Sequence, residues 1–315
     1  MRTTVLASLG RQALDGAQRI GLAWSLTGAV LCIDTAWLAL GGWSMPGRDF
    51  AVVALAVSAF LAPLSIARYR RDLRIRTTLR VAALLIAFQA AAATLSYLVI
   101  STNAALIDVQ LAAWDRALGF DWLALNAWVQ IHPHAQTMLH LAYDSGLPQL
   151  VCGILFLGFS ARAARLDEFM RLFSVATLLV IVISGPFPAA GAWKHYAVGT
   201  PLDLSLSHFE LLRNGSLHEI PLRQMQGLIS IPSLHAAMAV LLVYAMRGTL
   251  LLPPFVILNA AMLVSTPVDG GHYLVDVILG VALALGIVAL DRKRSAPATA
   301  TVTAAPMAGF GALPR

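Results

Sequence analysis

The sequence predicts an all-α protein, a polytopic membrane helix bundle with about eight transmembrane helices, and three observations predict it. Of the 315 residues, 58% are hydrophobic and only 12% are charged, whereas a soluble domain carries about 25% charged residues. The apolar residues gather in successive runs, most of them close to the roughly 20 residues that cross the hydrocarbon core as a helix. Arginines and lysines fall between those runs, concentrated in alternate connections as membrane orientation demands.

The segment MRTTVLASLGRQALDGAQR is amphipathic and Arg-bearing, and it reads as a helix rather than a secretory leader, because no short apolar run with an Ala-x-Ala site follows it. Spans are expected over about 20–41, 49–67, 81–100, 137–160, 172–190, 232–248, 251–267 and 271–290. The later ones are separated by GPFPAAGAW, Pro232, RGTLLLPP and a Pro-Val-Asp-Gly-Gly turn, all rich in helix breakers. Residues 1–80 hold the first two spans and a basic loop, the other six spans fall within 81–290, and 291–315 read as a disordered Ala/Pro/Thr-rich tail.

With the amino terminus inside, 17 of the 22 basic residues face the cytoplasm, among them the RYRRDLRIRTTLR loop and the DRKR run. That places both termini inside a plasma membrane of bacterial inner-membrane type. The net charge of +6 then follows membrane topology and does not indicate nucleic acid. Cys32 and Cys152 lie in apolar runs without a partner at metal-ligand spacing, so they are expected to be buried fillers.

Two long segments are expected outside. The first, residues 101–136, sets Trp114, Trp122 and Trp128 among short apolar runs, which suggests interfacial helices whose Asp108, Asp115 and Asp121 are expected on a solvated face, with a binding role as the alternative. The second, 191–230, is polar and carries His195, His208 and His218 without zinc-type spacing, so no metal and no cofactor are expected. Asp34 lies inside the first span, where a carboxylate is costly and a pairing partner is expected. The run YDSGLPQ at 143–149 could line a groove or hydrogen-bond between helices.

Chemistry concentrates at two helix starts. Ile229-Ser-Ile-Pro-Ser-Leu-His235 opens one outward-facing helix, with Ser233 as a natural N-cap. STPVDGGHYLVD opens another, with His272 and Asp276 four residues apart and therefore on one helix face. A carboxylate beside an imidazole fixes its tautomer and raises the basicity of the free nitrogen. The topology puts His235, His272 and Asp276 at the same membrane face, although each alone could be a packing or capping residue.

Pro232-Ser233-Leu234-His235 and Ser265-Thr266-x5-His272-x3-Asp276 resemble the second and third motifs of the type 2 phosphatidic acid phosphatase superfamily, especially its inositolphosphotransferase-like branch. The resemblance covers about residues 81–290 and implies a six-helix membrane core. It implies an enzyme that attacks a lipid phosphate or phospholipid with His272, oriented by Asp276, while His235 protonates the leaving oxygen. Such an integral-membrane lipid phosphatase or phosphotransferase would work from the outer face, without a metal, through a phospho-histidine. Leu234 replaces the usual glycine, Thr266 replaces an arginine, and Lys194-HYAVGT-Pro201 keeps the lysine of the first motif but lacks its arginine. Ser233, Lys194 and Arg213 are the candidates to hold phosphate. The alternative is a non-enzymatic protein, a transporter or a degenerate relative that binds lipid phosphate.

Overall fold

The structure is a computed structural model that describes residues 2–198 and 207–295. Among them every named element is a helix, and the one β-type pairing is an isolated bridge between Ser44 and Glu219. The chain runs as α1 (Arg2–Gly41), α2 (Gly47–Leu61), α3 (Ala67–Arg71) and α4 (Leu73–Ile100). It continues as α5 (Asp108–Ala117), α6 (Trp122–Gln130), α7 (Pro133–Asp144), α8 (Gly146–Phe159) and α9 (Ala163–Ser184). Then come α10 (Ala192–His195), α11 (His208–Arg213), α12 (Leu234–Ala245), α13 (Leu252–Asp269) and α14 (Leu274–Ser295). The tail expected over 291–315 begins inside α14, and 296–315 lie outside the described residues.

Five helices are long and apolar enough to cross a membrane, and α7 with α8, bent by 44° at their junction, meets the same length and composition as a pair. The protein is therefore a multi-pass helical membrane bundle. The other two expected spans fall on helices that miss the length and composition of a simple span. The first turns of α9 carry Arg165, Asp167, Glu168 and Arg171. The 12 residues of α12 rise only about 18 Å, so it crosses part of the bilayer and is shielded by its neighbours.

The centre of the bundle is α4, α9 and α12, where Phe88, Phe173, Leu241 and Leu242 are fully or almost fully buried. Among lipid-immersed helices such packing, rather than water exclusion, holds the elements together. α2 lies at the periphery, with 6% of its span buried against 61% for α4. Cys32 and Cys152, expected inside, are exposed free thiols on the outer surface of the bundle. An apolar neighbourhood in a membrane protein includes lipid, and that is where they face.

The bundle has two chemically distinct ends. At one, Arg171 pairs with Asp291 through two hydrogen bonds, Arg247 meets Glu168 at 2.6 Å, and the Arg165 guanidinium donates to the Arg247 carbonyl. These residues belong to the connections expected inside. At the other end the segments 101–132, 191–198, 207–233 and 265–276 meet. There the α1–α2 turn is stitched to the segment that precedes α12, Ser44 N–H donating to the His218 carbonyl at 3.0 Å and Ile220 N–H to the Ser44 carbonyl at 2.9 Å.

Candidate active site

Two helix starts build the site. α12 begins after Ser233, whose hydroxyl accepts from Ala236 N–H at 3.3 Å, the cap its sequence foretells. α14 begins at Leu274, and both oxygens of Asp115 accept from its first N–H groups, at 2.9 Å from Leu274 and 3.0 Å from Val275. Burial pushes the Asp115 carboxyl up, against the pull of those two donors. A carboxylate thus already occupies the positive end of α14, and α12 puts His235 on the cavity wall.

The two starts are locked together. Ser233 N–H donates to the Asp276 backbone carbonyl at 3.0 Å. Gly280 lies so close to α12 that a Cβ there would stand 2.3 Å from the Ser233 carbonyl oxygen. Asp108 ties in the preceding loops: its carboxylate accepts from Ala190 N–H at 2.9 Å, Gly191 N–H at 3.0 Å and the Tyr273 hydroxyl at 2.9 Å. Gly271, at φ +63°, makes the turn that a side chain would resist, and its carbonyl accepts from Ala192 N–H at 2.7 Å.

The lock brings His235, His272 and Asp276 together. Both imidazoles line one cavity of about 760 Å³. His272 Nδ1 lies 3.5 Å from Asp276 Oδ2, an ion-pair separation without an aligned hydrogen bond. Asp276 is fully buried, and the same Oδ2 accepts from the Ser230 hydroxyl at 2.5 Å and from Tyr273 N–H at 3.0 Å. His235 Nδ1 sits 3.3 Å from the Tyr143 hydroxyl, with the two rings stacked at 4.3 Å.

The three candidate phosphate contacts are placed differently. Lys194 lines the cavity, 3.2 Å from Glu210 and above the Phe209 ring. Burial pulls its ammonium below the usual lysine range, and Glu210 offsets part of that. Arg213 does occupy a short helix near the site, but its guanidinium lies over the Phe209 ring, 5.5 Å from the centroid, and is not on the cavity wall. Ser233 is fully buried, its hydroxyl spent on the cap. Ser265 and Thr266 bond back to the Met262 carbonyl and do not reach the cavity. Pro201, at the end of the first-motif remnant, lies outside the described residues.

Several expectations change. Asp108 and Asp115, expected on a solvated face, are buried and hold backbone; Asp121 caps α6 by accepting from Ala124 N–H at 2.9 Å. Trp114 and Trp128 are half-exposed as interfacial residues should be, but Trp122 is buried and donates to the Pro267 carbonyl at 2.9 Å. Asp34 is buried with neither oxygen hydrogen-bonded among the described residues, so the expected partner is not there. His195, His208 and His218 pack on aromatic rings, and among the described residues no His, Cys, Asp and Glu group is arranged to hold a metal.

Ser230, Tyr143 and His140 carry site interactions that the sequence did not single out by role. His140 lines the cavity with its ring nitrogens 3.3 Å from Asp144 and 3.3 Å from Asp269. Its four-residue spacing to Asp144 was the one readable signal.

A family model described as the PAP2 superfamily matches residues 109–290, from α5 into α14. No curated protein matches the chain, and no solved structure does.

Proposed function

Because the chain belongs to the PAP2 superfamily, we propose that it is an integral-membrane lipid phosphatase or phosphotransferase working through a phospho-histidine. One observation carries this reading. Two imidazoles share the wall of a single cavity, and one of them has a buried carboxylate 3.5 Å from its Nδ1.

In the proposed reaction His272 Nε2 attacks the phosphorus of a lipid phosphate or phospholipid. A P–N bond forms, the P–O bond to the leaving group breaks, and His235 gives that oxygen its proton. Water or an acceptor alcohol then attacks, the P–N bond breaks, and the proton of the attacking oxygen returns to His235. Asp276 orients His272 and stabilises the cation that forms on it. Lys194, on the cavity wall, faces the phosphoryl charge. No step calls on a metal or an organic cofactor.

The resemblance to the inositolphosphotransferase-like branch supports transfer, since Leu234 stands where a phosphatase-type motif has glycine. The concentration of arginine at the opposite end of the bundle supports a cavity on the outer face, with both termini cytoplasmic. A non-catalytic lipid-phosphate binder is the second reading, favoured by Lys194 being the only cation on the described cavity wall.

Purified protein in vesicles, with chelator present, is given a panel of lipid phosphates and phospholipids with and without alcohol acceptors. The expected result is phosphate or headgroup release that His272→Ala abolishes and Asp276→Asn cuts by about 100-fold or more. An acid-labile phosphoenzyme should accumulate in the wild type. Turnover that survives His272→Ala would sink the mechanism, and binding without turnover would establish the second reading.

A further inference from the structure

We propose that Tyr143 is the positioning residue of the general acid, holding the His235 ring by Nδ1 so that Nε2 is the nitrogen that delivers the proton. The inference rests on the reading of His235 as that acid. The hydroxyl of Tyr143 is 3.3 Å from Nδ1, and the phenol ring stacks on the imidazole at 4.3 Å with 27° between the planes. One side chain therefore fixes both the plane of the ring and which of its nitrogens is engaged.

Tyr143 is itself held. It is the penultimate residue of α7, at the 44° bend into α8. Three residues earlier His140 is pinned to Asp269 at the end of α13, at 3.3 Å. Gly270 completes the clamp: a Cβ there would lie 2.9 Å from Tyr143 Cε2 and 2.7 Å from His272 Cδ2. The phenol thus sits beside both imidazoles, and the turn before His272 leaves it just enough room.

The partner chemistry separates the two histidines. His272 has a carboxylate near Nδ1, which makes its free nitrogen a better nucleophile. His235 has a neutral phenol at Nδ1, which orients the ring without adding negative charge that would hold the proton back. Nδ1–H donates to the phenol oxygen both in the protonated ring and in the neutral ring left once Nε2 has given up its proton, so Nε2 alone gives and takes the proton in both halves of the reaction.

The test varies the leaving group. Alkyl-chain substrates (hexadecyl phosphate, phosphatidylmethanol) need a proton on the departing oxygen, and their nitrophenol counterparts do not. Tyr143→Phe, which keeps the ring and its packing, should slow the alkyl substrates about tenfold, the worth of one positioning hydrogen bond. Read in the first turnover, before the dephosphorylation step that His235 also serves, it should leave nitrophenol release unchanged. His235→Ala should show the same selectivity at about 100- to 10,000-fold, and His272→Ala should abolish both. If Tyr143→Phe slows both leaving groups equally while His235→Ala stays selective, the role of Tyr143 is overturned and the reading of His235 stands. If His235→Ala is not selective either, the reading of His235 falls as well. A measurement without turnover runs beside it: in ¹⁵N-histidine spectra, Tyr143→Phe should move the His235 Nδ1 resonance and no other. An unmoved His235 signal overturns the proposal whatever the substrates do.

Discussion

Asp276 works through one oxygen shared by three partners: the Ser230 hydroxyl at 2.5 Å, Tyr273 N–H at 3.0 Å and His272 Nδ1 at 3.5 Å. Its other oxygen, buried, has no hydrogen bond among the described residues. Ser230 is thus what keeps the carboxylate from turning away from His272, and Ser230→Ala should lower kcat about tenfold with KM nearly unchanged. A fall in substrate affinity instead would make Ser230 a ligand contact. Lys194 gives a pH prediction. Its ammonium is held below the ordinary lysine range, so the charged form is lost as pH rises through that lowered value. Competitive inhibition by inorganic phosphate should weaken there, earlier than an exposed lysine would allow, and Lys194→Arg should remove that alkaline limb. At this scale His272 and Asp276 were legible because their spacing is local, and Ser233 because capping is. Ser230 and Asp276 are 46 residues apart, Tyr143 and His235 are 92, and Asp108 and Tyr273 are 165. No spacing rule reaches such pairs, because only the packing of helices brings them together.

The elements matter through how closely they approach. α14 and α12 touch at Gly280, where any side chain would meet the Ser233 carbonyl, and Ser233 in turn is bonded to the Asp276 backbone. Gly280→Val should therefore force the two motif-bearing helices apart, costing about 1–3 kcal/mol of stability and most of the activity. Gly286, in the same helix with nothing within 4 Å of an added Cβ, is the control. Gly286→Ala should leave activity intact and slightly raise the melting temperature, since alanine is the better helix former. A matching loss in both variants would mean that helix propensity, not contact, is being read. Asp115→Asn tests the cap on α14 separately: one of two N–H groups loses its acceptor, which should cost about 1 kcal/mol. Helix identity and order could be read from apolar runs and breakers. The length of α12 and the bend between α7 and α8 could not, because hydropathy averages over a window longer than either feature. Nor did a glycine in an apolar run announce which neighbour it must admit.

The whole molecule is asymmetric from end to end. Charge and chemistry have separated to opposite ends: Arg162, Arg165, Arg171 and Arg247 hold carbonyls and carboxylates at one end, and the cavity opens at the other. Such an asymmetry orients a bundle with its basic end in the cytoplasm, so the proposed substrate is a lipid of the outer leaflet. The same reasoning was available from the sequence, since the charge bias lies in short connections and needs no tertiary contact to be counted. Impermeant thiol labelling decides it. Cys32 and Cys152 are exposed on the surface of the bundle and must first be replaced by serine or alanine. In that background Arg70→Cys, in α3 at the basic end, and His134→Cys, at the start of α7 on the cavity side, each supply one exposed thiol. In intact spheroplasts the thiol at 134 should be labelled at once, and the thiol at 70 only after permeabilisation. The opposite pattern would put the cavity in the cytoplasm and its substrate in the inner leaflet. The leading reading of the site would then keep its chemistry and lose its outer-face location.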